Sequence, residues 1–328
     1  MNNFSYQRAG SVAEASGAAT DGGRIIAGGT NLVDLMKYRV ESPETLIDIN
    51  RLALGAIEDG PEGGLRLGAL VTNAATAYDE RVKDRYPVLA EAILSGASAQ
   101  LRNMATNGGN LLQRTRCYYF YDTGSPCNKR EPGSGCPARE GQNRILAILG
   151  TSEQCIATHP SDMCVALAAL DATVNVTGSN GDRRIPLADF HRLPGAHPER
   201  DTNLEAGDVV TSIDLPEAGF AEHSTYLKVR DRESYAFALV SVAACLELDG
   251  DRIKKIRVAL GGVAPKPWRM ATAEDRLVGK PATEETFRVL ADDLLQGALG
   301  YGHNDFKIPL AKRAIVRALT TARDNDSN

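Results

Sequence analysis

Apolar positions along the chain switch between two periods, and each switch marks an element. Val12, Ala15 and Ala18 recur at helical spacing behind Ser11, which predicts a short amphipathic helix with a serine cap. Arg24-Ile25-Ile26-Ala27 reads as a short buried strand running into Gly28-Gly29-Thr30-Asn31. Leu32-Val33-Asp34-Leu35-Met36-Lys37 then resumes as a helix, and Thr45–Ile49 predicts a second strand that completes a small βαβ unit. Leu54, Ile57 and the alternating run Leu65–Leu70 flank a Gly-Pro-Glu-Gly-Gly turn, a hairpin signal. Residues 72–99 carry helical spacing, with Thr72 capping one helix and Pro87 starting another.

A second glycine turn, Thr106-Asn107-Gly108-Gly109-Asn110, follows, and after it the periodicity fails for about fifty residues. It returns at Asp162–Asp171, an apolar helix, then at strand Thr173–Thr177, turn Gly178–Gly181 and return Arg183–Pro186. Residues 193–207 form a polar loop and Val209–Leu215 a strand. Residues 217–223 read as a linker. Beyond them a separate α+β unit is expected, with strands Ser224–Arg230, Ala236–Leu248 and Ile253–Leu260. Asp249-Gly250-Asp251 joins the last two as a hairpin. Helices are predicted at about 270–278, 283–299 and 309–322, and the tail 323–328 is expected to be disordered.

With 328 residues, 43% of them hydrophobic, the chain holds two domains or one large one with an insertion. A net charge of −5 argues against a nucleic-acid or membrane-surface binder, and no apolar run is long enough for a membrane span. The N-terminus MNNFSYQRAG has no basic region followed by an apolar one, so a cytoplasmic location is the default expectation. Co-export to the periplasm with a signal-bearing partner is the alternative.

The aperiodic stretch contains Cys117, Cys127, Cys136 and Cys155, spaced C-x9-C-x8-C-x18-C among Gly, Pro, Asn, Arg and Lys. A segment of this composition needs something other than an apolar core to hold it. Three readings stand: structural zinc, though paired C-x2-4-C knuckles are absent; two disulfides, if the chain is exported; or a cubane iron–sulfur cluster on four converging thiolates. Gly133 and Gly135 permit positive φ and offer N–H groups toward sulfide, while Lys129, Arg130 and Arg139 would offset a cluster's negative charge. Cys164 and Cys245 sit in apolar segments and read as buried hydrophobes. His191, His197, His223 and His303 show no metal spacing and are expected at the surface; Trp268 suits either a core or an interface.

Neither glycine turn has the G-x-G-x-x-G spacing or the P-loop lysine. As a pair they suit a diphosphate held from two sides by backbone N–H groups. In His159-Pro160-Ser161-Asp162, Ser161 or Asp162 caps the following helix, or a carboxylate there accepts from a ligand hydroxyl. No nucleophile–base motif stands out, so any chemistry would belong to a cofactor.

Read together and in order, Ile26-Ala27-Gly28-Gly29-Thr30-Asn31-Leu32, Thr106-Asn107-Gly108-Gly109-Asn110-Leu111, Ser161-Asp162 and Tyr226-Leu227-Lys228-Val229-Arg230 resemble the flavin-binding (medium) subunit of the molybdenum hydroxylases, the xanthine and carbon monoxide dehydrogenase superfamily. The insertion around Cys117-Tyr118-Tyr119-Phe120, Cys127-Asn128-Lys129-Arg130, Gly133-Ser134-Gly135-Cys136 and Cys155 is similar to the [4Fe–4S]-bearing flavin subunit of bacterial heterotrimeric aldehyde oxidoreductases. The flavin subunit of 4-hydroxybenzoyl-CoA reductase is the alternative relative, and a zinc-stapled assembly module is the alternative outside redox chemistry. The resemblance implies an α+β fold: a vanillyl-alcohol-oxidase (PCMH-type) FAD domain of two subdomains at 1–218, with the insertion at about 112–158. A C-terminal domain at 222–325 would carry a three-stranded antiparallel sheet with helices.

It further implies that Ile25, Ile26, Ala27, Gly28, Gly29, Thr30, Asn31 and Leu32 wrap the FAD pyrophosphate, with Thr106, Gly108, Gly109 and Asn110 opposite. Gln113 is a further FAD contact, Asp162 binds hydroxyls, and Val210 and Lys228 meet the isoalloxazine. Cys117, Cys127, Cys136 and Cys155 would bind the cluster. Partners would be a small [2Fe–2S] subunit, a large molybdenum-cofactor subunit that oxidises the aldehyde, and an external electron acceptor.

Overall fold

The computed structural model describes residues 1–217 and 220–325. Three sheets organise it. The first is parallel and small: β1 (Ser5–Arg8), β2 (Arg24–Ile26) and β3 (Thr45–Asp48) lie in the order β1-β3-β2. Helix Leu32–Lys37 crosses from β2 to β3, so the βαβ unit forms, with the helix at its predicted bounds and each strand one residue shorter than expected. Ser11 caps helix Val12–Thr20 by accepting from the Glu14 N–H, and Ala15, Ile47 and Ile49 close a small core with Val209.

The second sheet is antiparallel, in the order β4-β5-β8-β6-β7, from β4 (Ile57–Asp59), β5 (Leu65–Gly68), β6 (Thr173–Gly178), β7 (Gly181–Pro186) and β8 (Val209–Leu215). Alternation sets its faces. Leu65, Leu67, Val174, Val176, Ile213 and Leu215 turn inward with helices Pro87–Ser95 and Asp162–Ala169, while Arg66 pairs with Asp214 through two bonds of 2.7 and 2.9 Å.

The third sheet is antiparallel, β11-β10-β9, from β9 (Ser224–Val229), β10 (Val240–Asp249) and β11 (Arg252–Gly261). Its middle strand is buried on both faces. Ala243 and Cys245 join the core under the second sheet; Val242, Ala244 and Leu246 pack under helices Glu284–Leu294 and Lys307–Asp324. Small residues on the first face let the two domains seat closely. Trp268 belongs to this second core, its indole donating to the Leu294 carbonyl at 3.0 Å. Among the described residues no helix is long and apolar enough to cross a membrane.

Several expectations need correction. β10 starts at Val240, not Ala236, because its ladder with β9 begins only at the Val240–Val229 pair. The helix expected at 283–299 ends at Leu294, and Gly297 turns the chain with φ 77°. The last helix runs Lys307–Asp324, so Arg323 and Asp324 of the expected disordered tail are helical; 326–328 lie outside the described residues. The linker expected at 217–223 includes 218 and 219, also outside them. His191 is not at the surface: it is 2% exposed, held by its Nε2 against the Leu111 carbonyl at 2.8 Å.

Candidate functional site

The first glycine turn packs directly on the approach to the second. A Cβ on Gly28 would sit 1.9 Å from the Met104 carbonyl oxygen, so only glycine permits this contact. Gly29 takes a φ of 69°. From Gly28 to Leu32 no backbone N–H has a hydrogen-bond acceptor among the described residues, and all five residues are half-buried. Unpaired N–H groups at such depth are uncommon, and a consecutive row of them forms an anion-binding concavity. Ile25 and Ala27 anchor the turn from below by packing on the small core.

The second turn behaves differently. Its N–H groups are already used: Asn107 donates to Val71, Gly108 to Ala69, Gly109 to the Thr106 hydroxyl and Asn110 to Thr106. The expectation that both turns present free N–H groups is therefore corrected. The cause is the Thr106 cap together with the strand-end carbonyls beside it. What this turn offers is side chains. Asn110 donates to Asn73 at 2.7 Å and accepts from Gln113 at 2.8 Å and from the Ser161 hydroxyl at 2.6 Å. Ser161 in turn caps helix Asp162–Ala169 by accepting from the Cys164 N–H at 3.0 Å. The cap is thus Ser161, leaving Asp162 free for other partners.

Asp162 is nearly buried and accepts from the Tyr226 hydroxyl at 2.7 Å and from Lys228 at 2.8 Å; Lys228 also donates to the Ser95 carbonyl at 3.0 Å. Val210, on β8, is buried with Leu111 and Met163 in the core under the second sheet. Asn31 accepts from the Arg114 N–H at 2.8 Å, tying the first turn to the chain that enters the insertion.

The four cysteines, far apart in sequence, line one small cavity with Phe120, Asn128, Lys129 and Gln154. No disulfide joins any of them. Burial pushes Cys117 up to about 12 and Cys155 up to about 11, the latter countered in part by Lys129. Gly133 and Gly135 take φ of 87° and 111° as expected, but their N–H groups donate to the Asn128 side chain at 3.1 and 2.8 Å, not toward the cavity. Of the three cations expected to face a cluster, Lys129 lines the cavity. Arg130 is spent on the Tyr119, Phe120 and Ser125 carbonyls, and Arg139 on Ser152 and Glu153.

Lys129 also leads to residues the sequence did not single out. It shares Asp201 with Arg114, at 2.5 and 2.8 Å, and Arg114 reaches Glu41 at 3.2 Å. These two cations hold the Asp201 carboxyl down at about 2 despite its burial. The network clamps the first subdomain, the insertion and the 193–207 loop together. The only hint was the run Arg114-Thr115-Arg116 before Cys117. On its other side the insertion is fixed to the C-terminal domain: Asn304 and Lys307 donate to the Leu146 carbonyl, and Asn143 to that of Tyr301.

His191 stacks beside His159, ring centres 4.2 Å apart. Burial pulls His191 down to about 4 from 6.5. The unfolded imidazole gains its proton as pH falls through 6.5, the folded one only near 4. Stability is therefore complete above about pH 6.5 and lost on acidification toward pH 4, by about 3 kcal/mol from this residue. His191→Phe should flatten the corresponding fall in thermal midpoint between pH 6.5 and 4. An undiminished fall would show that His191 is not held neutral.

Comparison with known proteins agrees with this geometry. The family described as FAD binding domain in molybdopterin dehydrogenase matches residues 2–218, and the CO dehydrogenase flavoprotein C-terminal domain matches 225–322. The chain is 51% identical over 326 residues to the aldehyde oxidoreductase FAD-binding subunit PaoB of Escherichia coli, covering 98% of this chain and 99% of that one. It is 28% identical over 328 residues to the carbon monoxide dehydrogenase medium chain of Hydrogenophaga pseudoflava, covering 97% and 96%. Among solved structures, carbon monoxide dehydrogenase from the same organism matches with a TM-score of 0.77 at 26% identity over 99% of both chains. Quinoline 2-oxidoreductase from Pseudomonas putida 86 matches with a TM-score of 0.74 at 27% identity over 98% of both. The chain therefore belongs to the FAD-binding medium subunits of the molybdenum hydroxylases, oxidoreductase subunits whose substrate is turned over on a partner subunit.

Proposed function

We propose that this chain is the flavin and [4Fe–4S] electron-transfer subunit of a molybdenum-containing aldehyde oxidoreductase. A large molybdenum-cofactor subunit would oxidise the aldehyde, a small [2Fe–2S] subunit would relay electrons, and the present chain would deliver them to an external acceptor. The observation that carries this reading is the single cavity lined by Cys117, Cys127, Cys136 and Cys155, set within an insertion between the two halves of the flavin site. The identity of 51% to an aldehyde oxidoreductase flavin subunit supports the substrate class.

The donor set fits a cluster better than one ion. Four thiolates on a single zinc at 2.3 Å would lie about 3.8 Å apart. No three of these sulfurs lie within 4.8 Å of one another; among the described residues the group that does is His159, Cys164 and His191. A cubane spreads its thiolates over four separate iron corners and needs the wider spacing.

When bound, FAD supplies the exchange between two-electron and one-electron transfer. The chain's own residues do the holding. The free N–H row at Gly28–Leu32 suits the diphosphate, with Thr106, Gly108, Gly109 and Asn110 as the facing wall and Gln113 beside them. Asp162 would share its hydrogen bonds with ligand hydroxyls, and Val210 and Lys228 would flank the ring. Benzaldehyde oxidation by the assembled complex with an artificial acceptor is the expected activity. Reduction of a hydroxybenzoyl-CoA, with benzaldehyde inert, would overturn the aldehyde assignment.

A further inference from the structure

Four cations flank Cys117 and Cys127 in the chain; two are matched by carboxylates, and Arg130 is bonded to three backbone carbonyls. Arg114 has Asp201 and Glu41, and Lys129 has Asp201. Arg116 has none: among the described residues no carboxylate oxygen lies within 4.0 Å of its guanidinium. It donates to the Arg114 carbonyl and stands 5.2 Å from the centre of the Phe237 ring. The side chain is half-buried.

Its direction is informative. Although Arg116 precedes Cys117 in the chain, it is absent from the residues lining the sulfur cavity. The Arg114 residue whose carbonyl it bonds donates its own N–H to Asn31 at 2.8 Å, and Phe237 lies in the loop between β9 and β10, after Lys228. Asn31 and Lys228 are both residues of the proposed flavin site. A guanidinium taken partly out of water without a counter-ion is costly, and such a group persists where a ligand brings the opposite charge.

We propose that Arg116 is a FAD-binding residue whose guanidinium receives a negative charge of the bound cofactor. Two parts of FAD carry one: the diphosphate, and the N1–C2=O edge of the ring once reduced. The proposal rests on FAD occupying the cleft between the two glycine turns. An uncharged replacement removes the attraction but leaves the Gly28–Leu32 cradle and the cysteine cavity intact.

The test uses the assembled complex with Arg116→Gln and Arg116→Lys, measuring FAD affinity, flavin midpoint potential and iron content. If the diphosphate is the partner, Arg116→Gln weakens FAD binding about tenfold at unchanged potential. If the ring is the partner, FAD is retained and the reduction equilibrium shifts about tenfold toward oxidised flavin, about 30 mV lower for a two-electron couple. Either result supports the proposal, and Arg116→Lys should recover part of the loss. Wild-type FAD affinity and wild-type flavin potential in Arg116→Gln overturn it, as does loss of iron alone. Should Arg116→Gln not assemble, Arg116→Lys decides: its displaced point charge must change affinity or potential, and wild-type values of both overturn the proposal. Normal Arg116→Gln behaviour in a complex that still binds FAD would leave the flavin-subunit reading standing, so the two failures are distinguishable.

Discussion

Replacing Cys136 by serine should remove about four iron atoms per chain from the assembled complex while FAD stays bound. Cys136 is the most accessible of the four cavity cysteines, and it lies at the end of the Asn128-organised turn through Gly133 and Gly135. Serine there leaves the least disruption in the apolar surround of Phe120, Leu146 and Ile156. Cys164→Ser and Cys245→Ser should keep their iron, since both side chains lie wholly buried in the flavin-domain core. Their effect is expected on stability: a hydroxyl buried in place of a thiol costs on the order of 1–3 kcal/mol. Iron retained in Cys136→Ser, by metal analysis against the parent complex, would contradict the assignment of the cavity.

Gly28→Ala should weaken FAD binding about ten- to hundredfold, because relieving an overpacked contact costs about 1–3 kcal/mol and here only movement of the two turns relieves it. The new methyl would stand 1.9 Å from the Met104 carbonyl, and backbone on both sides leaves no flexible side chain to yield. Separating the turns would spread the cleft and misalign the N–H row. Gly55→Ala is the control: a Cβ there meets nothing within 4 Å. FAD titration of the apoprotein reads both. Equal affinity in Gly28→Ala and the parent would show that the apposed turns do not form the cofactor cleft.

Much of the framework was legible because its signals are local. Ser11, Thr72 and Ser161 all cap helices by accepting a backbone N–H three residues on. Pro87 does begin a helix, and Val209–Leu215 is a strand with the bounds its apolar run predicts. Asp249-Gly250-Asp251 does turn β10 into β11. What the sequence hid depends on distant partners. His191 looked like a surface residue because its acceptor, the Leu111 carbonyl, is 80 positions away. Asp201 lies in a polar loop, and nothing local says that Lys129 and Arg114 converge on it.

The two glycine turns show the limit most clearly. Their sequences are near twins, and both read as anion cradles. Yet the N–H groups of one are open, and those of the other are consumed by Thr106, Val71 and Ala69. Only the long-range pairing of Thr72 with Thr106 and the packing of Gly108 on Ala69 distinguish them. The second turn is therefore better described as a rigid wall that carries Asn110 to Ser161 than as a second set of donors.

That linkage also fixes the place of the cysteine insertion. It leaves the proposed flavin site after Gln113 and returns at Ser161, and one hydrogen bond from Ser161 to Asn110 closes the loop at its base. Cluster and flavin are thus expected to share a scaffold. The most direct test of that account is metal and flavin analysis of the purified complex, compared with the same complex carrying Cys136→Ser. The account requires an iron difference of about four atoms per chain, no zinc difference and unchanged FAD. Zinc lost in place of iron, or no change in either metal, would contradict it.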